Sequence, residues 1–162
     1  MAKRSEHIVK FKTDPGRLLE ILVDEQFQVR RERAQGAVSA SVSNYKKTDT
    51  QVTYDVHTVE YAKGITGVDK TKTENAVAHY TWDLSTMSCK WTYVPQNSFA
   101  DRVKVWGTLK INPSGVDSQL VSDFNIEVKI PLIGGKAESM VLAEVEPGWA
   151  RHDEVVNEML NA

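Results

Sequence analysis

The sequence predicts an α+β fold: a curved antiparallel sheet of about six to seven strands, closed by one long C-terminal helix, with two short helices after the first strand. Three observations carry this expectation. Between Ala37 and Ile130 apolar residues recur with a period of two, in short runs divided by turn signals. From Lys136 onward the period becomes helical. Two short helical patterns stand between residues 14 and 36 and nowhere else in the first half. Helices segregated in this way from a run of strands define the α+β class.

The first strand is read over residues 5–13, where His7, Val9 and Phe11 alternate with Ile8, Lys10 and Lys12. Asp14 suits an N-cap, and Pro15 suits the first helical position, whose N–H needs no partner. Leu18, Leu19, Ile21 and Leu22 make a short apolar helix. Asp24 caps a second, with Phe27 and Val29 inward, and Gly36 ends it in a left-handed conformation. The run Arg30, Arg31 and Arg33, broken by Glu32, reads as a solvated helix face.

Strands then follow one another. Val38, Ala40 and Val42 alternate with serines, and Thr48-Asp49-Thr50 makes a turn. Val52, Tyr54 and Val56 mark the next strand, while Val59 and Tyr61 fall on the opposite phase, as a bulge would place them. The polar segment Lys63 to Asn75 reads as a mobile loop. Ala78, Tyr80, Trp82 and Leu84, then Met87, Cys89, Trp91 and Tyr93, form a hairpin with its aromatics on one face. Val103, Val105, Gly107, Leu109 and Ile111 mark a further strand, which Asn112-Pro113-Ser114-Gly115 turns into the last. There Leu120, Ser122, Phe124, Ile126, Val128 and Ile130 face one way and Asp123, Asn125, Glu127 and Lys129 the other.

Pro131-Leu132-Ile133-Gly134-Gly135 makes a corner into the final helix. Continuous from Lys136, that helix would be about 40 Å long. Pro147-Gly148 predicts a kink or a break in it. Leu142, Val145, Trp149, Val156 and Met159 make its inward stripe.

The chain has 162 residues, 41% hydrophobic and 26% charged, which suits one globular domain over residues 1–162. A net charge of −2 supplies no global drive toward nucleic acid or an anionic membrane, and no nucleic-acid partner is expected. Cys89 is the only cysteine, so neither an intrachain disulfide nor a multi-cysteine zinc site is possible. Met1 to Ser5 is basic, but no apolar run follows it as in a secretory signal. No window approaches the roughly 18 apolar residues that span a bilayer. A cytoplasmic protein without an integral membrane segment is the expectation.

This order of elements resembles the helix-grip fold of the START-like lipid-transfer superfamily, which takes in the birch-pollen-allergen type, polyketide cyclases and aromatases, and lipid-transfer domains. The most local likeness is IEVKIPLIGGKAESMV, Ile126 to Val141. Its strand, proline, apolar pair, double glycine and helix with an early glutamate are similar to the C-terminal signature of an uncharacterised bacterial family within that superfamily. The resemblance implies a cupped sheet gripping the last helix, with a hydrophobic cavity between them. Pro147-Gly148 departs from a straight gripping helix.

The inward phase of the strands holds Tyr54, Tyr80, Trp82, Cys89, Trp91, Tyr93, Gly107 and Phe124, which with Leu142, Val145 and Trp149 are the candidate cavity residues. These aromatics are either a packed core or the wall of a cavity whose tyrosine hydroxyls fix one polar end of a ligand. Gly107 either leaves room among large neighbours or marks a bend. Gly134-Gly135-Lys136 lacks the spacing of a phosphate-binding loop. His7, His57, His79 and His152 form no ligand pair, and His152 is placed on the exposed side of the last helix. Cys89 reads as a small buried hydrophobe. No buried carboxylate or histidine is evident for acid–base chemistry, and Glu144 is read as facing water.

The expected function is binding or transport of a hydrophobic or amphipathic small molecule (a lipid, sterol-like or polyketide-like compound), with no cofactor, no metal and no catalytic residue assigned. A cyclase or aromatase-type enzyme using the same cavity, and a cochaperone-like interaction module with a filled core, are the alternatives.

Overall fold

Two aspartates set the first third of the chain. Asp14 accepts from Arg17 N at 3.0 Å, and Asp24 from Gln26 N and Phe27 N at 2.7 and 3.2 Å, so each satisfies donors that a helix start leaves unpaired. The computed structural model, which describes residues 2–64 and 67–162, places α1 at Pro15–Leu22 and α2 at Glu25–Ala34, directly after strand β1, Lys3–Phe11. Gly36, with φ of +100°, ends α2 where a side chain would be strained.

Six strands then run as a meander: β2 Ser39–Lys47, β3 Gln51–Gly64, β4 Gly67–Asp83, β5 Ser88–Pro95, β6 Val103–Ser114 and β7 Asp117–Val128. One 3-10 turn, Ala100–Arg102, precedes β6, and helix α3, Gly134–Leu160, follows β7. The sheet is antiparallel throughout, in the order β1-β7-β6-β5-β4-β3-β2. Helices α1 and α2 therefore carry the chain from one edge of the sheet to the other. The final helix packs against β1, β7, α1 and α2.

The register puts the inward residues in rows across the sheet. Tyr54 stands opposite Tyr80, Tyr80 opposite Trp91, Trp91 opposite Gly107, Gly107 opposite Phe124, and Phe124 opposite Ser5. The adjacent row runs Val52, Trp82, Cys89, Leu109, Ser122 and His7. One packed cluster, centred on Trp82, Phe27 and Leu120, fills the space under α1, α2 and the end of α3. A second, Val105, Ile126 and Val128 with Leu142 and Val141 against them, lies beneath the start of α3. Trp91 and Tyr93 border both.

Several elements differ from the sequence expectation. Lys63 to Asn75 is not a loop: its described residues are paired arms of the β3–β4 hairpin, while residues 65 and 66 lie outside the described ones. Backbone ladders need no apolar side chains, and arms exposed on both faces carry no alternation to read. The register shift lies at Tyr61/Ala62, beyond Val59, so Val59 and Tyr61 lie on the outer face without a prior slip. Helix α3 begins at Gly134 and runs unbroken through Pro147, which sits exposed on its solvent side. Pro147-Gly148 does not break it.

The space above Gly107 is occupied. A methyl group there would overlap both the Asp123 carbonyl oxygen and the Trp91 indole. Gly107→Ala is therefore expected to cost about 1–3 kcal/mol of stability by overpacking. Urea unfolding measures this, and an unchanged midpoint would show that both the indole and the β7 backbone at Asp123 yield at little cost.

Candidate ligand-binding face

The aromatic residues of the sheet's inner face form a continuous series. Tyr45 stacks on Tyr54 at 5.7 Å between ring centroids, Tyr54 on Tyr80 at 5.1 Å, Tyr80 meets Trp91 at 6.4 Å, and Trp91 meets Phe124 at 5.7 Å. One end of the series is closed. Tyr54, Tyr80, Trp82 and Cys89 are buried under α1 and α2. The polar atoms at this end are committed: Tyr54 Oη donates to Leu22 O at 3.3 Å, Trp82 Nε1 to Tyr54 Oη at 3.1 Å, and the half-buried Tyr45 Oη to Val23 O at 2.8 Å. These bonds satisfy carbonyls that the end of α1 leaves open. Burial pushes the Cys89 thiol up to about 12, which suits a packed side chain and not a nucleophile.

The centre of the series holds a buried cation. Arg31 retains only 6% of its surface, and its guanidinium sits 5.5 Å from the Phe27 ring and 5.3 Å from the Tyr80 ring. It donates to Tyr80 Oη at 3.0 Å and to Glu32 Oε1 at 3.0 Å. Burial opposes its charge, but Tyr80 and Glu32 outweigh burial and hold its proton more tightly than usual. Burial pushes the Tyr80 hydroxyl up to about 12. The solvated face expected for Arg31 is thus overturned. One turn of helix carries Arg30 and Arg33 outward and Arg31 inward, and a run of arginines cannot be split this way without the sheet's register.

The other end is open. Trp91, Tyr93 and Phe124 face inward yet are only half-buried, as are Leu142, Val145 and Trp149 on α3. Tyr93 Oη has no hydrogen-bond partner among the described residues, and burial raises its pKa. Beside it Glu60, also half-buried, is shifted upward by burial. Lys63 bonds Glu144 at 2.8 Å, joining the β3–β4 hairpin to α3 across this side. Two surface clefts, of about 360 and 300 Å³, lie elsewhere, along α2 against Val42 and around Tyr45, Val23 and Leu84. None of the candidate cavity residues lines either one.

A curved antiparallel sheet with a long C-terminal helix laid on its inner face is the START-like helix-grip architecture. The chain belongs to the family described as a protein of unknown function, DUF2505, which matches residues 6–160. The structure is similar to the Zhui aromatase/cyclase from Streptomyces sp. R1128, at 14% identity and TM-score 0.65, covering 98% of this chain and 93% of that one. It is similar to Ara h 8.0201 at 13% identity and TM-score 0.66, with 100% of each chain covered. A START superfamily protein from Mycobacterium smegmatis matches at 16% identity and TM-score 0.57, over 97% of this chain and 98% of that one. No curated protein matches the chain. No helix among the described residues is long and apolar enough to cross a membrane.

A second polar cluster escaped the sequence analysis. His152 is buried, not exposed, with its ring edge-on to Phe27 at 5.5 Å. Asp153 joins it to β1: Oδ1 lies 3.3 Å from His152 Nδ1 and Oδ2 lies 2.8 Å from His7 Nε2. The His7 ring stacks on Trp149 at 5.3 Å. The signal lay in the spacing, since Trp149, His152 and Val156 share a helix face at three and four residues. Among the described residues no group of three His, Cys, Asp or Glu side chains stands ready to hold a metal ion.

Burial lowers the His152 pKa below the ordinary 6.5; the Asp153 bond opposes the shift, and the nearby Arg31 and His7 add to it. Between the folded and ordinary values the unfolded chain holds a proton that the folded chain does not. This contribution to stability is complete above 6.5 and is lost as the pH falls below it. Urea midpoints recorded across this range are expected to drop on acidification, with a shallower drop in His152→Gln. Equal slopes in the two proteins would show that another group governs the loss.

Proposed function

We propose that the protein binds a hydrophobic or amphipathic small molecule on the inner face of the sheet, between the open end of the aromatic series and α3. The observation that carries this reading is the incomplete burial of Trp91, Tyr93 and Phe124 on the inner face of the sheet. Inward aromatics in the middle of a sheet are normally covered, and here Trp91 and Tyr93 pack against the edges of both clusters without being buried in either. Ring faces suit an apolar body, and the unpartnered Tyr93 hydroxyl suits one polar group on it. The committed hydroxyls of Tyr45 and Tyr54 do not serve this role. The likeness to START-like folds supports the reading at the level of architecture.

The ligand class is a lipid, sterol-like or polyketide-like compound, and the reading calls for no cofactor. Catalysis is not part of it. The Asp153-centred histidines lie between β1 and α3 with one ring packed on Phe27, apart from the aromatic series.

Native mass spectrometry followed by organic extraction tests the reading directly, with a stoichiometric apolar compound as the expected result. Trp91→Ala and Tyr93→Ala are expected to weaken uptake of an apolar fluorescent probe about tenfold, while Trp106→Ala, on the outer face, leaves it unchanged. Trp82→Ala is unsuitable because Trp82 is fully buried and its loss would act on stability. Equal effects at Trp91 and Trp106 would sink the placement.

A further inference from the structure

We propose that the β7–α3 corner is a docking tip for an anionic phospholipid bilayer. Leu132 is fully exposed, and it takes a left-handed conformation, φ of +69°, which a leucine rarely adopts. Ile133 beside it is 54% exposed. Nothing in the fold recovers the cost of displaying this pair, because neither side chain packs against the core.

The corner is also held rigid. Glu138, buried on the first turns of α3, accepts from Val128 N at 2.7 Å. Gly134 N donates to Ile130 O at 2.9 Å, and Gly134 lies against the Val128 carbonyl with no room for a side chain. Lys129 N donates to Arg102 O at 2.7 Å, which brings the β5–β6 connection alongside, with Phe99 half-exposed in it. The apolar groups are thus presented by a braced turn.

Charge identifies the partner. The segments that meet at the corner carry Lys3, Arg102, Lys104, Lys129 and Lys136, against Asp101, Glu127 and the buried Glu138, with Lys129 paired to Glu127 at 3.3 Å. Lys3 is tied to the corner by a bond from Nζ to Gly135 O at 2.7 Å. This end is basic on a chain whose net charge is −2. An apolar tip with an excess of bases on the segments beside it is complementary to a surface of anionic headgroups over an acyl interior. The inference does not rest on the ligand reading above, since it uses none of the residues of the aromatic series.

Co-sedimentation of the full chain with vesicles tests it. Vesicles of equal phosphatidylglycerol and phosphatidylcholine are expected to bind the protein, and phosphatidylcholine alone is not. Raising the salt to about 1 M, where charges are screened beyond about 3 Å, is expected to release it. Leu132→Asn with Ile133→Ser is expected to reduce partitioning at least about tenfold. Asparagine tolerates the left-handed backbone, so the melting temperature should hold. Val116→Ser, also exposed but at the opposite end of the β6–β7 hairpin, is expected to bind as the unaltered protein does. Failure to sediment with the anionic vesicles overturns the proposal. So does binding that ignores the Leu132/Ile133 change, or a concentration-dependent dimer abolished by that change without vesicle binding, which would make the tip a self-association surface.

Discussion

One buried carboxylate holds the two halves of the architecture together. Glu138 Oε2 takes the Val128 N–H, the last donor of β7, inside the protein. At that point the strand has passed the end of its pairing with β1, so a buried backbone N–H would otherwise be stranded away from water. The bond fixes where the sheet stops and the angle at which α3 departs. Glycine at 134 is needed because the helix starts in contact with the Val128 carbonyl. From that junction the helix has one course, back along β7 and β1 toward α2.

That course explains why the inner face is closed at one end and open at the other. Near its C-terminal end α3 meets α1 and α2, whose apolar faces complete a packed core over Trp82 and Tyr54. Near its start it leans on β1 and β7, and the middle strands beneath Trp91 and Tyr93 receive less cover. The tyrosines follow the same division. Tyr45 and Tyr54 spend their hydroxyls on the carbonyls at the end of α1, where burial demands it, while Tyr93 keeps its own. Arg31 marks the boundary, its charge held by Glu32 and Tyr80 and its plane shielded by two rings.

The parts of this fold legible in the sequence are those governed by local chemistry. Alternation in Val52 to Val56 or Leu120 to Val128 reports a sheet with one covered face, and the aspartate caps report the helices. The face on which the aromatics gather followed from the same alternation, and the register places them together. Tertiary neighbours decided the rest. Arg31 and His152 are polar residues that the sequence reading assigns to water, and Glu138 carries no signal of burial. Arg31 and Glu138 are satisfied by partners on other elements, while His152 bonds Asp153 beside it and packs its ring on Phe27 of α2. Pro147 signalled a break, but it faces solvent, where water can take the carbonyl that its missing N–H leaves unpaired, and the helix continues through it. The hairpin arms around Lys63 and Lys72 were silent because neither face of them is covered by the core.

The strand order carries a consequence for how the chain acquires its shape. Strand β1 emerges first but pairs only with β7, the last strand made, so Lys3 meets Ile126 after nearly the whole chain exists. The β2–β7 meander, by contrast, joins neighbours in sequence and closes short loops. Pairings of such different span are gained in order of their loop-closure entropy, and the long one comes late. During synthesis the first strand waits unpaired, with Val9 and Phe11 uncovered. The alternating Lys3, Arg4, Glu6, Lys10 and Lys12 keep that waiting segment charged and poorly suited to pairing with the wrong edge.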